Sequence, residues 1–249
     1  MFLLAACALF VGVPHAQATP VLQLDIVNGY YDDVTKTVQA SAEDFTLVAL
    51  LTVPTGSNVA EYLAQTYYVS AAVMPQVQRN DNLGSFTFAG TNYNVTNDLV
   101  YGTPPIESYD SNGADPGDLP SHLIFPTFFR EFGFQFSANN VTKTYEVPQH
   151  PGQGPIAPSV GDPVSYYATF TVHNGLLKTL GLHFDLYNAY FNRCATERTS
   201  CDRDLFLYAP FDRDAESHRV PEPASMSLVG LGLLAAAGHL RRRRAATKA

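Results

Sequence analysis

Tryptophan is absent from this chain of 249 residues, and cysteine and methionine occur only three times each. Without Trp the broadest aromatic surface is missing, which weakens any reading of the chain as a platform for stacked sugars. Two cysteines, Cys194 and Cys201, share one polar stretch that contains no histidine, so a four-ligand zinc site is not written there. Charge is scarce, at 15% of residues. What charge there is has mostly one sign. Residues 19–219 carry ten Lys and Arg against twenty-two Asp and Glu, a net of −12. A domain of that sign does not bind nucleic acid through its phosphates. It suits a soluble exported protein and tolerates divalent cations. The HExxH, G-x-S-x-G and phosphate-loop patterns are also missing, and with them the usual marks of zinc proteases, α/β-hydrolases and nucleotide hydrolases.

What the chain does have is period-two patterning. Phe132, Phe134 and Phe136 alternate with smaller or polar residues, as do Tyr166, Ala168, Phe170 and Val172, and again Leu182, Phe184 and Leu186. Alternation rich in Phe, Tyr, Thr and Val predicts half-buried strands. Ten are expected, at 21–27, 34–40, 45–53, 66–77, 84–89, 92–100, 123–137, 164–173, 180–191 and 204–209. Between the chain ends, Val59 to Gln65 is the one predicted helical turn. The fold class is therefore all-β, a single antiparallel β-sandwich of jelly-roll type. Two long loops, Tyr101 to Ser121 and Val147 to Pro163, are rich in Pro and Gly. Loops of that length commonly hold a site or are simply mobile.

The two ends have a different character. Residues 1–18 read as a signal peptide: an apolar run to Val13, then Ala16-Gln17-Ala18, with small residues at the two positions a signal peptidase reads. No Lys or Arg precedes that run, so the true start codon is open. Leu4-Ala5-Ala6-Cys7 also fits a lipoprotein signal, with Cys7 as the lipidated residue. At the other end, Val220-Pro221-Glu222-Pro223 precedes an uncharged stretch, 224–240, whose seventeen residues as helix span roughly 25 Å, the short end of what crosses a bilayer. Arg241, Arg242, Arg243 and Arg244 follow directly and are expected to stay cytoplasmic with the tail 245–249. A buried core helix is the alternative for so short an apolar run. The two prolines keep the preceding motif extended, as a protease requires.

This order of proline motif, apolar helix and basic cluster resembles the PEP-CTERM proteins. In that family the C-terminal tag is read by exosortase, a membrane-embedded transpeptidase or protease of bacteria that make exopolysaccharide. The resemblance implies a sorting signal over 220–244, transient residence in the inner membrane, cleavage near Pro221-Glu222-Pro223, and transfer of the domain 19–219 to the surface or the extracellular matrix. Within the domain, Leu119-Pro120-Ser121-His122, Ile124 to Phe129, Phe184-Asp185-Leu186-Tyr187 and Ala209-Pro210-Phe211 with Asp214-Ala215 are similar to choice-anchor N domains. Asp212-Arg213 stands where that pattern has Ser-His. That group carries no established activity, so it implies a fold and a location.

Candidate sites are few. Asp110, Asn112, Asp115 and Asp118 place four oxygen ligands in one Gly-rich loop, a pattern that calcium would take as its cofactor, though the spacing is not that of an EF-hand. A solvated acidic loop is the plainer reading. Asp202 with Asp204 and Asp212 with Asp214 are i, i+2 pairs that on strands share a face, fit for a cation or for acid–base work. In that arrangement Arg203 and Arg213 would point away; solvated strand ends with exposed ion pairs are the expectation instead. His183 and Asp185 read as a hydrogen-bonded surface pair, since no nucleophile with local context joins them. Cys194 and Cys201 are expected to form a disulfide in an oxidising compartment. The functional expectation is a non-enzymatic surface or matrix protein, with exosortase, signal peptidase and exopolysaccharide as its partners. A calcium- or glycan-binding module and a hydrolase of a matrix polymer are the alternatives.

Overall fold

The computed structural model describes residues 20–79, 83–106, 118–120, 123–177, 179–194 and 201–218. In chain order the strands are β1 (Val21–Ile26), β2 (Tyr30–Asp32), β3 (Thr37–Gln39), β4 (Asp44–Thr52), β5 (Tyr67–Met74), β6 (Ser85–Phe88) and β7 (Thr91–Asn94). They continue with β8 (Val100–Gly102), β9 (Thr127–Phe134), β10 (Val141–Lys143), β11 (Val164–His173), β12 (Gly181–Cys194), β13 (Cys201–Tyr208) and β14 (Ala215–Ser217). Two short helices, α1 (Val59–Leu63) and α2 (Val95–Asp98), and a 3-10 turn at Phe211–Arg213 complete the set.

The strands form two sheets. In the first the order is β1-β4-β11-β6-β7, with β10 beside the start of β11. In the second it is β2-β3-β14-β12-β5-β9-β8, with β13 beside the second half of β12. Every ladder is antiparallel except β14 on β3, which pairs Ala215 with Val38 and Glu216 with Gln39 in parallel. The expected all-β sandwich is therefore present, with that one parallel ladder.

Several expected boundaries shift for local reasons. The segment 34–40 begins as a turn: Asp32 Oδ1 accepts the Val34 N–H at 2.8 Å, and Lys36 sits at φ 60°, so extended structure starts only at Thr37. The expected strand 92–100 is broken by α2. Asn94 Oδ1 accepts the N–H groups of Thr96 and Asn97, while Asp98 Oδ2 accepts that of Asn94, a reciprocal cap that favours a helical turn. Val59 to Gln65 is thus not the only helical turn. The strand expected at 123–137 is shorter, at Thr127–Phe134. β2, β10 and β14, three residues each, are too short to show a period.

Between the sheets lies a core built from the alternating positions. Leu22, Leu24 and Ile26, Leu47 and Ala49, Val69, Ala71 and Val73, and Leu182, Phe184 and Leu186 belong to one buried cluster. Phenylalanine rings bridge the layers: Phe88 of the first sheet stacks on Phe132 of the second at 3.9 Å, and Phe45 meets Phe184 edge-on at 6.0 Å.

The opposite faces of both sheets are covered as well. On the first, Gln23 and Asp25 of β1 alternate with the core leucines and are fully buried under the 145–156 segment. Asp25 accepts the N–H groups of Ile26 and Gly152 and, on its other oxygen, that of Gly154 and the hydroxyl of Tyr145. Gln23 donates to the Tyr145 carbonyl and accepts the Val147 N–H. Burial raises the Asp25 carboxyl above its usual range, and these four donors oppose the rise. Gly152, at φ 77°, comes so close that an added Cβ would lie 2.4 Å from the Gly29 carbonyl oxygen. On the second sheet, Ile106, Leu119, Ile124 and Phe125 of the other long loop pack over Ala72, Met74, Phe129 and Tyr187.

Asp25→Ala would strand three N–H groups and a hydroxyl in a dry environment, each costing about 1–3 kcal/mol. It is expected to lower stability by about 3 kcal/mol or more in urea denaturation and to open 145–156 to proteolysis.

Candidate functional site

The outer face of the second sheet holds the densest set of buried ionisable groups among the described residues. β12 is responsible. Its core face carries Leu182, Phe184 and Leu186, so His183, Asp185 and Tyr187 project to the other side. Beside it, β14 places Glu216 in register with His183, and Asp214 precedes Ala215. His183, Asp185, Asp214 and Glu216 are 0%, 2%, 1% and 3% exposed.

His183 lies at the centre. Its Nδ1 is 2.9 Å from Glu216 Oε1, and its Nε2 is 3.2 Å from Asp185 Oδ1 and 4.0 Å from Asp214 Oδ2. Glu216 is held further by Gln39 Nε2 at 2.7 Å and His218 Nε2 at 3.3 Å. Burial alone would lower the His183 pKa, but Asp185, Glu216 and Asp214 outweigh it and hold the imidazole well above its usual range. Asp214 is pushed well up, first by burial and then by the negative charge of Asp185. For Glu216 burial acts upward too, yet hydrogen bonds from His183, His218 and Gln39 win and keep it below the usual carboxylate range. The hydrogen bond to Glu216 raises His218.

A second charged group lies along the same face. Arg203 of β13 donates to both oxygens of Glu131 on β9, at 2.9 and 2.7 Å, and to the Ile106 carbonyl at 3.2 Å. The Tyr187 hydroxyl donates to Glu131 Oε1, and the guanidinium lies 4.5 Å from the Tyr68 ring centroid. Through its carbonyl, Ile106 is tied to this pair.

These positions correct three expectations. His183 and Asp185 are not a surface pair: both are buried, on a face where Leu119, Ile124 and Phe125 pack over Ala72, the register partner of His183. Arg203 is not in an exposed ion pair at a solvated strand end; it is buried against Glu131, with side-chain exposures of 8% and 7%. Asp212 and Asp214 do not share a face. Asp212 is exposed in the 3-10 turn and Asp214 is buried beside β12, while Arg213 pairs with Glu146 at 2.7 Å. The side chains of Asp202 and Asp204 fall outside the described residues, as do Asp110, Asn112 and Asp115. Asp118 is exposed and accepts the Leu205 N–H at 3.3 Å, tying the loop to β13. Cys194 and Cys201 are register partners across β12 and β13, with their side chains outside the description. Ala16, Ala18, Val220 to Pro223 and Arg241 to Arg244 also lie outside the described residues. Sequence reasoning missed Glu216, Gln39 and Glu131. The i, i+2 spacing of Asp214 and Glu216 was the available signal, but β14 is too short to announce a strand.

The fold defines the described part as an all-β sandwich domain. The chain's C-terminal segment, residues 219–244, matches the PEP-CTERM protein-sorting motif. That motif marks an exported protein processed by exosortase, secreted or held at the surface of a Gram-negative bacterium. No curated protein and no solved structure matches the chain.

Removing one partner from the buried ion pair leaves the other charge uncompensated, at a cost of about 3–5 kcal/mol. Arg203→Met is expected to destabilise by that amount in urea denaturation. The double variant Arg203→Met, Glu131→Leu should recover much of the loss, because neither charge is then left alone.

Proposed function

We propose that this chain is a non-enzymatic structural protein of the cell surface or extracellular matrix, associated with exopolysaccharide. The signal peptide 1–18 delivers it, and 224–240 holds it transiently in the inner membrane with Arg241 to Arg244 inside. Exosortase then cuts near Pro221-Glu222-Pro223. The sorting motif carries this reading, supported by its place in the chain: the last strand, β14, ends at Ser217, two residues before the motif begins at 219. Cleavage at the prolines therefore removes none of the described strands. The net negative charge and the rings of Phe206 and Tyr208, 61% and 48% exposed, suit a hydrated polysaccharide setting.

Two measurements test this. In a host with exosortase, mass spectrometry of surface material should find a chain ending near residues 221–223. Replacing Pro221, Glu222 and Pro223 by Ala should leave full-length protein, Lys248 included, in the inner membrane. Intact wild-type chain free in the cytosol would refute the proposal.

Export also places Cys194 and Cys201 in an oxidising compartment. Opposed residues of an antiparallel pair have Cα atoms about 4.5–5.5 Å apart, within the span of a disulfide. Alkylation of the exported protein is expected to modify neither cysteine until a reductant is added.

A further inference from the structure

Three buried carboxylates, Asp185, Asp214 and Glu216, face one buried imidazole, His183. Ligand-type atoms of His183, Asp185 and Asp214 lie within 4.8 Å of one another. Each aspartate also keeps a buried oxygen, Asp185 Oδ2 and Asp214 Oδ1, with no hydrogen-bond partner among the described residues. Buried carboxylate oxygens left in that condition are costly, so these two call for a hydrogen-bond donor or a cation.

We infer that His183, Asp185 and Asp214 form a binding site for a divalent transition-metal ion of the zinc class, with Glu216 orienting the imidazole. The donor set decides the class. Calcium and magnesium prefer shells of oxygen alone, whereas imidazole with carboxylates suits zinc and its neighbours. Glu216 at Nδ1 fixes the ring so that Nε2 faces the two aspartates, the carboxylate–histidine–metal order that orients ligating histidines. The ligands stand on neighbouring segments of one sheet, with His183 and Asp185 on the same face of β12 and Asp214 just before β14. A zinc ion about 2.0–2.2 Å from each donor brings the donors to roughly 3.0–3.6 Å apart. Nε2 is already 3.2 Å from Asp185 Oδ1 and 4.0 Å from Asp214 Oδ2. Because all three ligands are buried, the ion's role is structural. It fastens β12 to the segment leading into the last strand before the sorting motif.

The test uses the untagged full chain in detergent, stripped with a chelator and titrated with zinc chloride. Wild type is expected to bind about one zinc per chain with a rise in Tm. Asp214→Asn and Asp185→Asn should weaken zinc binding by roughly 100-fold or more, and Glu216→Gln by about 10–100-fold. His173→Ala, which removes a partly exposed histidine paired with Asp44, should leave binding unchanged. X-ray absorption of the zinc-loaded wild type needs no variant. One imidazole with oxygen donors and no sulfur is the expected shell. The assignment is overturned by failure of the wild type to take up stoichiometric zinc, by a shell with sulfur or without imidazole, or by unchanged affinity in folded Asp214→Asn.

Discussion

Polar side chains buried on the outer faces of the two sheets are the constraint on which the rest of this structure depends. A sandwich normally leaves those faces to water. Here Asp25 and Gln23 on one side, and His183, Asp185 and Glu131 on the other, are shut away from it. Each must find partners in the protein, and the partners come from the long loops and from the strands that border them. The 145–156 segment lies down because Asp25 takes its N–H groups and the Tyr145 hydroxyl. Ile106 is held to the other face because Arg203 reaches both Glu131 and the Ile106 carbonyl, and Leu119, Ile124 and Phe125 pack there as well.

The buried acids are neutralised in three different ways. Asp25 is met by neutral donors alone, and Glu131 by a two-oxygen guanidinium contact with a tyrosine hydroxyl beside it. Asp185, Asp214 and Glu216 share one buried imidazole, with half-exposed His218 touching only Glu216. The first two solutions are complete in hydrogen bonds around their carboxylates. The third leaves oxygens of two aspartates unmatched among the described residues, which sets it apart from ordinary sheet-covering polarity.

The end of the sandwich bears on its sorting. β14 is short, but it lies between β3 and β12 rather than at an edge, held by parallel pairing on one side and antiparallel pairing on the other. The last described strand thus has neighbours on both sides, and its Glu216 is bound to three side chains.

By itself the sequence determined the all-β class, most of the strands and the sorting signal. Period-two runs of Phe, Tyr and Val and a contiguous proline, apolar and arginine order are local patterns, legible wherever they stand. The strands at 45–53, 84–89 and 164–173 lie within a residue of their observed bounds for that reason. Only the tertiary structure decided which polar residues are inside. Alternation places His183 and Asp185 opposite the leucines, but it carries no information on what covers that second face. The His183 partners Asp214 and Glu216 come from the neighbouring strand segment about thirty residues further on, and Leu119, Ile124 and Phe125, some sixty residues earlier, pack over the same face. Burial on the outer face is a property of the packed chain, and so is the cluster of acids around His183.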